Sequence, residues 1–232
     1  MDNSVDINVR DTVLVTGFGP FGVHTINASW EAVKLLRSTG IEEELGIQLV
    51  TQEIQVEYRH VTETVPVYWE LYKPKLTVHV GVSGATETVQ LEQQASNIDY
   101  CRLDNNGCCP KGKICIPGGE KCIKSGLDMS LVCQEINNAD WGVFSCVSHD
   151  PGRYLCEFIY YTSLSICPSQ TAFIHVPVLD KPYSAAQLAM ALKLAIKAML
   201  RQINGKQNSE MSNPADVRLD RIETVTNNSL IE

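Results

Sequence analysis

The amino-acid sequence predicts an α/β fold: one domain of three layers, α/β/α, around a twisted and mostly parallel central sheet. Two features predict it. Short β-branched runs recur along the chain and stop at or near glycines, and helix-spaced apolar stretches lie between them. Strands alternating with helices need crossover connections, and these build a parallel sheet covered on both faces. A chain of 232 residues, 44% of them apolar, is long enough to bury such a core.

The elements follow in order. Thr12 to Thr16 is a β-branched run that ends in glycines and reads as a buried strand. Ala28 to Leu36 places Trp30, Val33 and Leu36 along one helical side. Ile47 to Val56 is strand-like. Tyr58 to Tyr72 has a helical pattern, with Pro66 expected to kink or split it because proline lacks the amide donor. Leu76 to Val80 is a further buried strand that stops at Gly81. Gly142 to Val147 and Ala172 to Val176 repeat the strand pattern, and helices are expected at about Asp150 to Leu164 and Ala185 to Ile203. Ligands of open α/β sheets gather at the carboxyl ends of strands. Gly17, Gly81 and the residues after Val147 and His175 are expected at such ends.

The domain is expected to span 10–204. Within it, 104–126 is rich in Gly, Pro, Lys and Cys without periodicity, and reads as an irregular loop or flap. The polar, acidic stretch 205–232 is expected to be a disordered tail. There is no internal repeat.

A net charge of -8 argues against nucleic acid or an anionic membrane as partner, since both select a basic surface. No apolar run approaches the roughly 18 residues of a membrane span. The first residues, Met1 to Asp6, are acidic and polar and lack the pattern of a signal peptide, so the expected compartment is the cytoplasm. Nine cysteines, an odd number, do not make a secreted disulfide framework and are read as mostly reduced thiols.

Four motifs bear on chemistry. Gly17-Phe18-Gly19-Pro20-Phe21-Gly22 matches the GxGxxG dinucleotide fingerprint, but Pro20 and two phenylalanines crowd the place where a pyrophosphate needs bare backbone. The other reading is a glycine-shaped loop offering two rings as an apolar clamp, or rings that merely plug the sheet. Asp150-Pro151-Gly152-Arg153-Tyr154-Leu155-Cys156 looks like a helix start, with Asp150 as N-cap and Pro151 at the first position. Cys156 then lies in the early turns, where the helix dipole favours a thiolate; the plain alternative is an inert buried cysteine. His175 ends an apolar run, where it suits a general base or a structural histidine. Glu92 follows a glycine-rich turn and suits the acid that orients an imidazole, or a surface role. His149 is a rival base, close to Cys156 in sequence but placed before the helix cap. Cys101, Cys108, Cys109, Cys115, Cys122 and Cys133 invite a zinc reading, yet form no paired CxxC knuckles, and no HExxH occurs.

Together these pieces resemble pyroglutamyl peptidase type I, the C15 family of cysteine peptidases. The resemblance runs from about Val13 to Leu200. It is carried by Val15 to Gly22 with Asn27-Ala28-Ser29-Trp30, by Val80-Gly81-Val82-Ser83-Gly84, by Leu91-Glu92 with Asn97, by Gly152 to Cys156 with Tyr160-Tyr161, and by His175-Val176-Pro177. It implies a triad of Glu92, Cys156 and His175 and an apolar pocket for the pyrrolidone ring at Phe18, Phe21, Tyr154 and Leu155, with Leu103 as a further wall. It also implies that the main chain at Val82 binds the ring amide and that Arg102 sits near the oxyanion. No metal or organic cofactor is implied. The implied partners are peptides with an N-terminal pyroglutamate; nearness to animal members implies a monomer, while the bacterial members imply a homo-oligomer as the alternative. Val82 stands where bacterial members often have Gln, and the extra cysteines of 105–126 depart from the pattern.

Overall fold

The computed structural model of this chain describes residues 10–22 and 25–212. In chain order its elements are β1 (Asp11–Phe18), α1 (Ala28–Leu35), α2 (Ile41–Leu45), β2 (Ile47–Ile54), α3 (Tyr58–Tyr72), β3 (Leu76–Val82), β4 (Val89–Glu92), β5 (Gln94–Ser96), β6 (Cys122–Lys124), α4 (Met129–Asn137), β7 (Ser145–Ser148), α5 (Leu155–Ile166), β8 (Thr171–Val176) and α6 (Ala185–Ser212). Six strands form one sheet in the order β2-β1-β3-β8-β4-β7. β2, β1, β3 and β8 are parallel, as expected. β4 pairs antiparallel with β8, and β7 runs parallel to β4.

Strand alternation divides the core in two. Val78, Val80, Ile174 and Val176 pack with α1, α4 and α6 on one face. Phe173 packs with α3 and α5 on the other. The helices thus cover both faces, the three-layer arrangement expected. Glycine permits one close approach in it: Gly17 lies under α1, where a Cβ would meet the Trp30 Cα at 2.8 Å.

Several local expectations are corrected. Pro66 does not split α3, which is continuous. Pro66 and Thr62, whose carbonyl it leaves without an amide donor, are both exposed, so water can satisfy that carbonyl. The helix expected at Asp150 begins at Leu155. Gly152 has φ +81, which breaks the turn, and the Asp150 carboxylate caps only the Gly152 N–H, at 3.2 Å. β7 runs against the four parallel strands, so its carboxyl end points away from theirs. Segment 149–154 returns the chain to the carboxyl ends of β1, β3 and β8, where Asp150 to Tyr154 line a cleft.

The flap is less irregular than expected. β6 pairs antiparallel with β5, and Lys111–Lys113 form a short 3-10 turn. α6 continues to Ser212, so the expected tail begins as helix, and 213–232 lies outside the described residues. α2, β4, β5, β6 and α4 had not been expected as elements. No helix among the described residues is long and apolar enough to cross a membrane.

The Gly17 contact gives a test of the α1–β1 packing. Gly17→Ala should lower stability by roughly 1–3 kcal/mol, because backbone atoms of α1 must move. Urea denaturation measures it; an unchanged midpoint would show that the contact is not tight.

Candidate active site

Cys156 is the second residue of α5. Tyr154, the N-cap, is extended at φ −143, and no side chain caps the helix start. The first backbone N–H groups of α5 therefore have no intrahelical partner, and they carry the positive end of the helix dipole. The sulfur lies directly over β3: a Cβ on Gly81 would sit 2.7 Å from Cys156 Sγ and 2.8 Å from the Phe173 ring. Only glycine leaves room for it.

Gly81 is paired in register with His175 on β8, and His175 in turn with Gln90 on β4. Glu92 lies two residues beyond Gln90 and therefore on the same face, diagonal to His175. Its Oε1 lies 2.8 Å from His175 Nδ1, and both side chains are buried. The Cys156 thiol interacts with the same ring, and with Nδ1 taken by Glu92 the nitrogen left for the sulfur is Nε2. Phe173 packs edge-on against the ring at 4.8 Å between centroids. Burial disfavours a charged imidazole here. The neighbouring Cys156, followed by the hydrogen bond and charge of Glu92, outweighs it and lifts the His175 pKa from 6.5 to about 9. Glu92 is also fixed through its backbone, whose carbonyl accepts from Tyr160 Oη at 2.8 Å. Its Oε2 is buried and has no hydrogen-bond partner among the described residues.

A cleft of about 530 Å³ opens over Cys156 and His175. Phe18, Phe21, Val82, Arg102, Tyr154 and Leu155 all line it. Leu103 does not. Its side chain is 61% exposed, and its carbonyl accepts from Tyr154 Oη at 3.1 Å, so the residue contributes backbone and not an apolar wall. The Arg102 guanidinium lies 4.3 Å from the Tyr154 ring centroid. Lining residues that the sequence reading missed include Asn27, Val56 and Gln90. Asn27 was part of a quoted motif but had no role; it caps α1 and donates to the Gly19 carbonyl at 2.9 Å.

Glu157, next to the candidate nucleophile, was also missed. It is fully buried, and burial pushes its pKa up to about 7 against the Ser96 N–H and Arg153 that hold it. Arg153 bonds both of its oxygens at 3.0 Å and Asp150 at 2.6 Å, tying segment 150–153 to the start of α5.

The rival readings fare differently. His149 is exposed, does not line the cleft, and uses its carbonyl to accept from Gln94. His79 is buried between Thr16 and Ser163, and burial drives its pKa down to about 3, so it is neutral. His24 lies outside the described residues. The Gly17–Gly22 loop has spent its amides: Phe18 N–H on Ser29 Oγ, Gly19 N–H on the Ile54 carbonyl, and Gly22 N–H on Asn105 Oδ1. Little N–H cradle is left for a phosphate. Among the described residues no three His, Cys, Asp or Glu side chains are grouped to hold a metal, and all nine cysteines are unpaired thiols.

The sequence profile of the pyroglutamyl peptidase family matches residues 11–207. Human pyroglutamyl-peptidase 1 is 46% identical over 202 residues, covering 86% of this chain and 96% of that protein. The mouse pyroglutamyl-peptidase 1 is 47% identical over 82% of this chain and 90% of its own length. The crystal structure of pyroglutamyl peptidase I from Bacillus amyloliquefaciens superposes with a TM-score of 0.72 at 27% identity, covering 82% of this chain and 97% of that one. The chain belongs to the pyroglutamyl peptidase family.

Proposed function

We propose that the protein is a cysteine exopeptidase that cleaves the bond after an N-terminal pyroglutamyl residue, with Cys156, His175 and Glu92 as its triad. The observation that carries this reading is one imidazole bonded on Nδ1 to a buried carboxylate, with a helix-start thiol seated over Gly81, the residue paired with it on the next strand. Family membership supports the substrate class.

In the proposed step the Cys156 sulfur attacks the pyroglutamyl carbonyl, and the protonated His175 stands ready beside it. The imidazolium gives its proton to the leaving amine, and water, activated by the neutral ring, then hydrolyses the thioester. Glu92 holds the ring in place and stabilises its charged form. The Cys156 N–H, at the open helix start, donates to the oxyanion, an interaction worth about 3 kcal/mol where it has been removed elsewhere. Arg102 stands at the same cleft as a further positive charge.

Recognition follows from a lactam that is flat and uncharged. Phe18, Phe21, Tyr154 and Leu155 offer it apolar contact, and main chain at Val82 satisfies its amide. An open-chain N-terminal residue brings an ammonium that this pocket must desolvate, and the Asp150 carboxylate that lines the cleft is already paired with Arg153, so the exchange is costly. All the groups needed lie in one chain, which supports action as a monomer, and the unpaired thiols support a reducing, cytoplasmic setting.

Cys156→Ser should lower turnover of a pyroglutamyl fluorogenic substrate on the order of 10⁴-fold while the circular dichroism spectrum stays unchanged. A variant that keeps full activity would remove the nucleophile from the scheme. Gly81→Ala should cost roughly 10²-fold in kcat, since the sulfur is displaced without any change in chemistry. Titrating Cys156 with iodoacetamide in that variant checks that the thiol is still present.

The pH dependence has a definite sign. The His175 imidazolium persists to about pH 9, so kcat/KM should fall as pH rises through that value. Because the folded pKa lies above the ordinary 6.5, its stabilising contribution is fully present below about 6.5 and lost as pH rises through about 9. Glu92→Gln keeps an acceptor for Nδ1 but removes the charge, and should move the alkaline limb down by roughly one pH unit. An alkaline limb that does not move in that variant would show that the carboxylate does not tune the ring.

A further inference from the structure

We propose that Asn105 is a positioning residue for the cleft, holding Phe21 in place by gripping the backbone on both sides of it; this rests on reading the cleft as the pyroglutamyl pocket. The loop that carries Phe18 and Phe21 is secured in two different ways. Its first half is tied to the elements it grows from. Phe18 N–H bonds Ser29 Oγ at 3.0 Å, Gly19 N–H bonds the Ile54 carbonyl at 2.9 Å, and the Gly19 carbonyl accepts from Asn27.

The second half, with Phe21, is reached from the start of the 104–126 segment. Asn105 Nδ2 donates to the Pro20 carbonyl at 3.1 Å, and its Oδ1 accepts from Gly22 N–H at 3.3 Å. One planar amide thus bonds the residue before Phe21 and the residue after it, as a neighbouring strand would. Among the short side chains only Asn carries a donor and an acceptor together at one planar end.

The clamp itself has a buried footing. Asn105 N–H bonds the Val56 carbonyl at 3.0 Å, just past β2. Beside it, Asp104 is buried, and its carboxylate accepts from Tyr58 N–H at 3.0 Å and from Asn106 and Cys108 N–H at 2.9 Å. The start of the 104–126 segment is therefore a knotted turn anchored on α3, and it presents the Asn105 amide at a fixed place. A wall held before the ligand arrives need not be ordered on binding, which helps substrate and transition state alike. Its loss should then appear in KM and not in kcat.

Asn105 is exposed, so substitution leaves the core intact. Asn105→Ala should raise KM for pyroglutamyl-aminomethylcoumarin roughly tenfold, with kcat kept within about twofold. Asn105→Asp keeps the acceptor and loses the donor, and should fall between the two. Asn106→Ala should match the wild type. Hydrogen exchange followed by mass spectrometry should show faster exchange over Phe18–Gly22 in Asn105→Ala, with α5 unchanged. An unchanged KM, or a fall in kcat at constant KM, overturns the positioning role. Unchanged exchange over Phe18–Gly22 overturns the clamp itself. A wild-type protein that does not cleave the substrate would refute the pyroglutamyl reading, while the exchange comparison still decides whether the clamp exists.

Discussion

The site depends on a sulfur atom seated directly on the backbone of β3. Gly81 leaves that seat open, and Gly81 is in register with His175 on the next strand. Neighbouring strands lie about 4.8 Å apart. A thiol above one strand and an imidazole rooted on the next, both on the α5 face, must therefore meet. The chemistry needs no flexible loop to bring the pair together, because sheet pairing fixes one partner and the helix start fixes the other. The same packing explains why α5 begins as it does. The positive φ at Gly152 delays the helix until Leu155, so Cys156 falls on the second residue, where the unpaired N–H groups are.

The reversed strand β4 completes the arrangement at a cost. Running antiparallel to β8, it places Glu92 diagonal to His175 on one face. Glu92 is fully buried, and one of its oxygens has no hydrogen-bond partner among the described residues. A buried carboxylate held in this way does not repay its desolvation through hydrogen bonds alone. It makes sense where its charge has a use, and among the described residues its ion-pair partner is the ring beside it. Such unfavourable placements gather at functional sites.

Much of this was legible in the sequence, and the misses have physical reasons. β1, β3 and β8 are near-continuous apolar runs buried on both faces, so they stand out, and with them Gly81 and His175. β4 is only Val89–Glu92, too short for alternation to be told from chance, so Glu92 was found through the motif it sits in and not through a strand. Gln90 went unseen because its importance lies in the residue opposite it. Asp150-Pro151 carries a strong helix-start signal, but the backbone at Gly152 overrides it. Glu157 was invisible because a charged residue on a helix reads as a solvent-facing one, and only the tertiary fold brings Ser96 and Arg153 to it. Leu103 was expected to turn its side chain to the pocket, whereas the neighbouring Asp104 is drawn into bonds with α3 and Leu103 is left facing solvent.

One residue joins the chemical half of the site to the recognition half. Tyr154 is the N-cap of α5, two residues before the sulfur, and its ring lines the cleft. Its hydroxyl bonds the Leu103 carbonyl, and Arg102 stacks over its face. The segment that carries Asn105 is thereby linked to the residue that starts the helix of Cys156. A ligand that pushes on the Tyr154 ring also pushes on the first turn of α5, and hence on the angle from which the sulfur approaches. In the proposed scheme a substrate that does not press on the Tyr154 ring would leave the sulfur less well aimed, so discrimination at that one contact would extend into the chemical step, unlike the uniform contact at Phe21.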